Sequence, residues 1–285
     1  MSAGWIAGDV RARGLVAAEA IDVASSVAAT PGLESAVTIL GQTRWIRDTE
    51  SATSVEAAQR SVFETLIWQL RVLAGWLPSE GVEIVRSCVA WFEIRNIEDR
   101  LAYFAGAPAA MPYEVGRLGL ISASLRGTSG AEDIRRLMRA SAWGDPGSED
   151  AYAIRMWLRH KWQRRAREAS PELRIWADAA AWLFGLRERS AGRTSAALMA
   201  STPPSLPWPW RWVTATTWSA GDLWRAEERW WEQVRQEGLQ LLHEPVGGRG
   251  PALGAVTTLA ASARRIATAL QVAAGIDGGE LDATD

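Results

Sequence analysis

The chain has 285 residues and a net charge of −2, and it is 48% hydrophobic and 22% charged. That balance describes a folded chain rather than a disordered one, long enough to bury about three quarters of the surface it exposes when unfolded, and it excludes a global basic field that would gather nucleic acid. One cysteine, Cys88, and two histidines, His160 and His243, exclude a disulfide framework and a Cys/His zinc cluster.

In chain order, residues 5–29 read as a helix with Gly14 as its soft point. Asp9, Arg11 and Arg13 interrupt the start before an apolar run can form, so no signal peptide is expected. Thr30-Pro31 offers a cap followed by proline at the first helical position, opening a helix over 33–40. Ser54 can cap a helix whose apolar positions are Val55, Ala58, Val62, Leu66, Leu70 and Leu73, spaced by three and four. Pro78 breaks it, and Ser79 is placed to cap the next. That helix carries Val82, Val85, Val89, Phe92, Ile94, Ile97, Leu101 and Phe104, a stripe too wide for a surface helix, so packing on more than one side is predicted. Gly106-Ala107-Pro108 ends it. Further helical patterns cover 131–142, 149–169, 171–188, 221–242 and 251–274. The last contains Arg264 and Arg265 and is mostly Ala, Thr and Ser, short of the ~20 strongly apolar residues of a bilayer span. Strand-length alternating runs are missing, and the predicted class is all-α, in a soluble cytoplasmic chain.

Residues 201–217 break the helical pattern, with Pro203, Pro204, Pro207 and Pro209 among Trp208, Trp210 and Trp212. Prolines at this density predict an extended segment with indoles pointing alternately to two sides. Its three tryptophans are candidates for partner binding, although a connector pinned by them into grooves between helices is the commoner outcome.

A search for chemistry returns little. Lys161 sits in Arg159-His160-Lys161-Trp162 without the glycine-rich turn of a P-loop, and no HExxH or GxSxG occurs. The acidic pairs Glu98-Asp99, Glu132-Asp133 and Glu149-Asp150 lack the third acid that an aspartate-rich magnesium motif needs. His160 lies among Arg155, Arg159, Lys161, Arg164, Arg165 and Arg167, a cationic setting that lowers its affinity for protons and metals. His243 is placed at a helix C-terminus, where the dipole favours it, and Cys88 reads as a small core hydrophobe. No catalytic residue, metal ligand or cofactor is assigned. The stretch 155–167 reads either as a surface for an acidic partner or anionic headgroups, or as a solvated face balanced by Glu149, Asp150, Glu168 and Glu172. Arg155, Arg159, Arg164 and Arg165 are its candidate contacts.

A threefold internal repeat emerges from helix ends. Glu93, Asn96 and Leu101, then Asp178, Ala181 and Leu186, then Ser262, Arg265 and Leu270, are three and then five residues apart. The chain divides accordingly into an N-terminal part (1–53) and repeats over 54–130, 131–200 and 201–285, within one continuous unit.

The run Phe92-Glu93-Ile94-Arg95-Asn96-Ile97-Glu98-Asp99-Arg100-Leu101 resembles the acidic-x-x-Asn helix that closes each repeat of the C (in eukaryotes, d) subunit of V-type and A-type ATPases, the connector between central stalk and membrane ring. Asp9-Val10-Arg11-Ala12-Arg13-Gly14-Leu15 is similar to that family's opening helix, the stretch from Leu33 to Trp45 to its Leu-rich second helix, and 252–281 to its ending. Ala181, Ser262 and Arg265 depart from the family's pattern in the second and third copies. The resemblance implies a funnel-shaped, pseudo-threefold helical protein without an active site, peripheral on the cytoplasmic face of the membrane. Its partners would be the central-stalk subunits and the proteolipid ring. Glu93, Asn96 and Asp178 would be structural; buried, Glu93 and Asn96 must find hydrogen-bond partners, since an unpaired buried group costs about 1–3 kcal/mol. The alternative is a helical scaffold or regulatory protein that binds a partner through the Pro/Trp segment.

Overall fold

A computed structural model describes residues 3–17, 22–46, 52–193, 204–215 and 217–275. Among them there is no strand. The α-helices in chain order are α1 (Ala3–Ala17), α2 (Val23–Ala28), α3 (Leu33–Gly41), α4 (Val55–Ala74), α5 (Ser79–Phe104), α6 (Ser122–Leu125), α7 (Ala131–Arg139), α8 (Ala151–Ala169), α9 (Pro171–Ser190), α10 (Trp212–Ala215), α11 (Leu223–Leu241) and α12 (Gly250–Ala273). They form two compact units, one from the described residues of 1–78 and 235–285, the other from 79–234.

Local chemistry sets most helix starts. Ser54, Asp150 and Ser170 lie in extended backbone and accept from the amides of Ala57, Ala153 and Leu173, and Pro171 follows Ser170 at the first helical position. Three expected boundaries differ. The helix expected over 5–29 is two helices: Gly14 is tolerated inside α1, and Asp22 starts α2 by accepting from the Ser25 amide and hydroxyl. Thr30-Pro31 does not open α3, which begins after Gly32 (φ +84°), while the Thr30 hydroxyl donates back to Ser26 O. Ser79 is the first residue of α5 rather than its cap.

In the first unit, α12 is the central helix, packed against α1, α2, α3 and α4 and buried at every position from Gly250 to Leu259. Its Ala, Gly and Thr content, which kept it below the hydropathy of a bilayer span, is what lets neighbours approach on several sides. Gln59 of α4 donates to Ala267 O at 2.8 Å, and the Gly32 amide to Ala273 O at 2.9 Å. No described helix is long and apolar enough to cross a membrane.

In the second unit, α8 packs between α5 and α9. Trp162 of α8 donates to Ser87 O of α5 at 2.9 Å, and Trp91 packs on both Trp162 and Phe184, with ring centroids 4.9 and 5.4 Å away. The wide stripe of α5 is buried from Gly81 to Leu101.

Helices α11 and α12 approach closely at Gly254, where a side chain would collide with Gly238 O and stand 3.0 Å from Leu242. Because the obstructing atom is backbone, Gly254→Val should lower stability by about 1–3 kcal/mol or more. Urea denaturation of the variant checks this; Gly14→Ala, with open space around the position, should match or exceed the wild type.

Candidate functional site

Glu93, Asn96 and Arg100 lie three, then four residues apart and therefore share one face of α5. Glu93 is 1% exposed. Its carboxylate accepts from the amides of Leu120 (2.8 Å), Ile121 (2.7 Å) and Ser122 (2.8 Å), from the Ser122 hydroxyl (2.8 Å) and from the Trp143 indole N–H (2.9 Å). Three successive amides converging on one carboxylate cap the start of α6 from outside, the electrostatic arrangement that favours an anion at a helix N-terminus. Asn96 pairs with the backbone of Tyr113 in both senses, donating to its carbonyl at 2.9 Å and accepting from its amide at 2.7 Å. Arg100 donates to the Thr128 hydroxyl at 3.1 Å and to its carbonyl. Together the three side chains hold the irregular connection 105–130 against the helix that precedes it. Gly119 permits the approach, since a β-carbon there would stand 2.6 Å from Val115 and 3.0 Å from the Glu93 carboxylate.

Glu93 and Asn96 are thus buried with partners. Trp143 is the member that sequence reading missed: fifty residues away in the chain, it has no spacing signal that links it to Glu93.

In the first unit α1 carries a comparable arrangement. Asp9, also 1% exposed, accepts from the Gly247 amide at 2.7 Å, while Arg13, one turn later, donates to Leu242 O and to Glu244 O at 2.7 Å. Asp9 and Arg13 therefore hold the connection between α11 and α12 as Glu93 and Asn96 hold the one after α5. Asp178 does something else. It accepts from the side chains of Gln163 (3.0 Å) and Arg167 (2.5 Å), binding α9 to α8 rather than clamping a loop. At the third marker, Arg265 pairs with Asp22 at 3.1 Å.

The basic stretch of α8 is not a uniform docking face. Arg155 and Arg159 turn inward to Glu98 at 3.3 and 3.8 Å, and Arg159 also reaches Glu188 at 3.9 Å, which in turn accepts from Arg193 at 3.0 Å. Burial pushes the Glu98 carboxyl up, opposed by the guanidinium groups of Arg159, Arg155 and Arg95. Arg165 reaches Glu83 at 3.9 Å and lies over the Trp143 ring, 5.6 Å from its centroid. Arg155, Arg159 and Arg165 are therefore internal ion-pair partners, and of the four expected contacts only Arg164 is exposed. The balancing acids expected from sequence are Glu149, Asp150, Glu168 and Glu172. Of these Glu168 acts on Arg165, while the acids that form ion pairs with the stretch come from α5 and α9.

The Pro/Trp segment is not simply extended. Among its described residues 208–210 form a 3-10 turn and α10 follows. Proline is tolerated in a first turn because it lacks an amide that would be unpaired there. Trp208 is 80% exposed, whereas Trp210 is buried, edge-on to Trp230 and stacked with Trp212 at 6.4 Å. Trp212 donates to Gln233 at 2.7 Å, with Arg229 over its ring. The indoles of Trp210 and Trp212 thus share one packing, and strict alternation fails after Trp208.

The remaining candidates carry no assembled chemistry. His243, just past the end of α11, donates from Nδ1 to Leu239 O (2.8 Å). His160 is held below the usual imidazole range by burial and by Arg164 and Lys161. A half-open cleft beside Asn96, Asp99, Arg100, Tyr103 and Arg126 has about 70 Å³, well below the several hundred Å³ of ordinary small-molecule sites. Among the described residues no group of three or more His, Cys, Asp or Glu side chains is placed to hold a metal ion.

No family model, curated protein or solved structure matches this chain.

Glu93→Gln should destabilise the protein by roughly 3 kcal/mol, because the amide cannot accept all five donors and turns its own N–H groups toward some of them; chemical denaturation measures the change. Cys88, only partly buried by surface area, still has its thiol pushed by desolvation up to about 12 from an ordinary 9.0. At mildly alkaline pH it should resist iodoacetamide in the native state and react in urea. The folded state keeps this proton where the unfolded state loses it, so the thiol's contribution to stability, complete below pH 9, should decline as pH rises from there toward 12.

Proposed function

We propose that the chain is a non-catalytic subunit of a rotary V- or A-type ATPase, coupling the central stalk to the membrane proteolipid ring, and that its long-helix pairs are three related wedges of a funnel. One observation carries the reading. Glu93 and Asn96, the acidic-x-x-Asn pair on which the resemblance rests, are buried and hold the following connection to the helix, and Asp9 and Arg13, from the second stretch that resembles the family, hold another in the same manner. Torque transmission needs connections that do not yield when helices are loaded, and side chains clamping loop backbone supply that stiffness. The three pairs α4 and α5, α8 and α9, and α11 and α12 follow one another in chain order, each joined by a short connection, which supports a threefold plan.

Peripheral attachment at the cytoplasmic face through these partners is part of the proposal. Affinity purification of the tagged chain from native membranes should recover stalk and proteolipid subunits. Recovery of an intact rotary ATPase from the same membranes without this chain would overturn the reading.

A second reading, a helical scaffold that captures a partner through the Pro/Trp segment, is favoured by one feature, the 80% exposure of Trp208. In that case Trp208→Ala would abolish partner recovery, whereas it would leave recovery of a rotary complex unchanged.

A further inference from the structure

The acids of α5 and α9 divide the basic residues of α8 into two classes. Arg155, Arg159, Arg165 and Arg167 are drawn to Glu98, Glu188, Glu83 and Asp178. The buried residues of the helix are Ile154, Met156, Leu158, Trp162 and Ala166. At 100° per residue Trp157, His160, Lys161 and Arg164 lie within about one quarter to one third of a turn of one another, Arg164 exposed and the other three half-exposed.

The outward cations have no ion pair among the described residues, and those that act on His160 are Arg164 and Lys161, both positive. Trp157 is fixed at the centre of the group, its indole N–H donating to Trp143 O at 2.8 Å, and the Lys161 ammonium lies over its ring, 4.7 Å from the centroid. Lys161 is the only lysine of the chain. Its stem is therefore held against a rigid aromatic plate instead of roaming in solvent, which lowers the entropy cost of a new contact. Glu168 shares this side, and its interaction is with Arg165.

We infer that the outward face of α8, formed by Trp157, His160, Lys161 and Arg164, is a docking surface for an acidic segment of a protein partner. Charge complementarity selects the occupant: the cations are compact, lie along little more than one helical turn and surround an aromatic ring, a spacing that matches carboxylates on one helix face. An extended anionic membrane would draw on many charges at once, and the chain's net charge of −2 opposes it. The inference stands apart from the rotary reading, since it names a surface and its chemistry, not an assembly.

The test uses the full chain and two probes, a short helical Glu-rich peptide and phosphatidylserine vesicles. Amine acylation at Lys161, read by peptide mapping, reports occupancy, and calorimetry reports affinity. The peptide should protect Lys161, and a triple variant His160→Gln, Lys161→Gln, Arg164→Gln should bind it about tenfold or more weakly. A control triple variant at exposed arginines elsewhere, Arg117→Gln, Arg139→Gln, Arg211→Gln, should bind it like the wild type. All these side chains are solvent-facing or half-exposed, and circular dichroism verifies the fold. The proposal is overturned if the α8 variant binds the peptide as the wild type does, if the control weakens binding equally, or if vesicles protect Lys161 and the peptide does not.

Discussion

A carboxylate buried without a cation in direct contact is tolerable only if the surrounding backbone is arranged to receive it. Glu93 meets that condition with three consecutive amides, a hydroxyl and an indole N–H. The arrangement constrains far more than one side chain. It dictates where the chain must pass between residues 119 and 122, requires a glycine at 119, and places Trp143 so that its indole points at α5. Trp143 then supplies a carbonyl to Trp157 and a ring to Arg165. A single buried acid thus organises the connection after α5, the start of α6, and one flank of α8.

The helix α8 shows how packing partners, rather than composition, decide what a basic stretch does. Seven of the residues from Arg155 to Arg167 are His, Lys or Arg, and read along the sequence they form one undifferentiated run. Once α5 and α9 contribute Glu98, Glu188, Glu83 and Asp178, four of them become internal fasteners between helices. Such pairs contribute little net stability against an apolar alternative, but removing one partner strands the other charge in a partly desolvated site. What is left outside is a smaller, ordered set around Trp157.

Much of this architecture is legible in the sequence, and the parts that are not share one cause. Helix existence follows from three-and-four spacing in α4 and α5 and from the cap at Ser54, because those signals act within a few residues. That Glu93 and Asn96 are structural is what the resemblance implies, and the structure buries both on the side of α5 that carries Val89 and Ile97. Trp143, the loop-holding role of Asp9 and Arg13, and the inward turn of Arg155 and Arg159 do not follow, because each depends on a partner far away in the chain and outside its own helix. The Pro/Trp segment fails for a local reason: proline density argues against a helix interior, yet Pro207 and Pro209 enter a first turn where a missing amide costs nothing.

The central claim is that the connections are rigid parts of the body rather than surface loops. Native-state amide hydrogen exchange at Leu120, Ile121 and Ser122 tests it most directly. These amides should open only with the helices of their unit, with protection equal to that of the middle of α5. Exchange at the rate of an unstructured peptide, while α5 stays protected, would contradict the account.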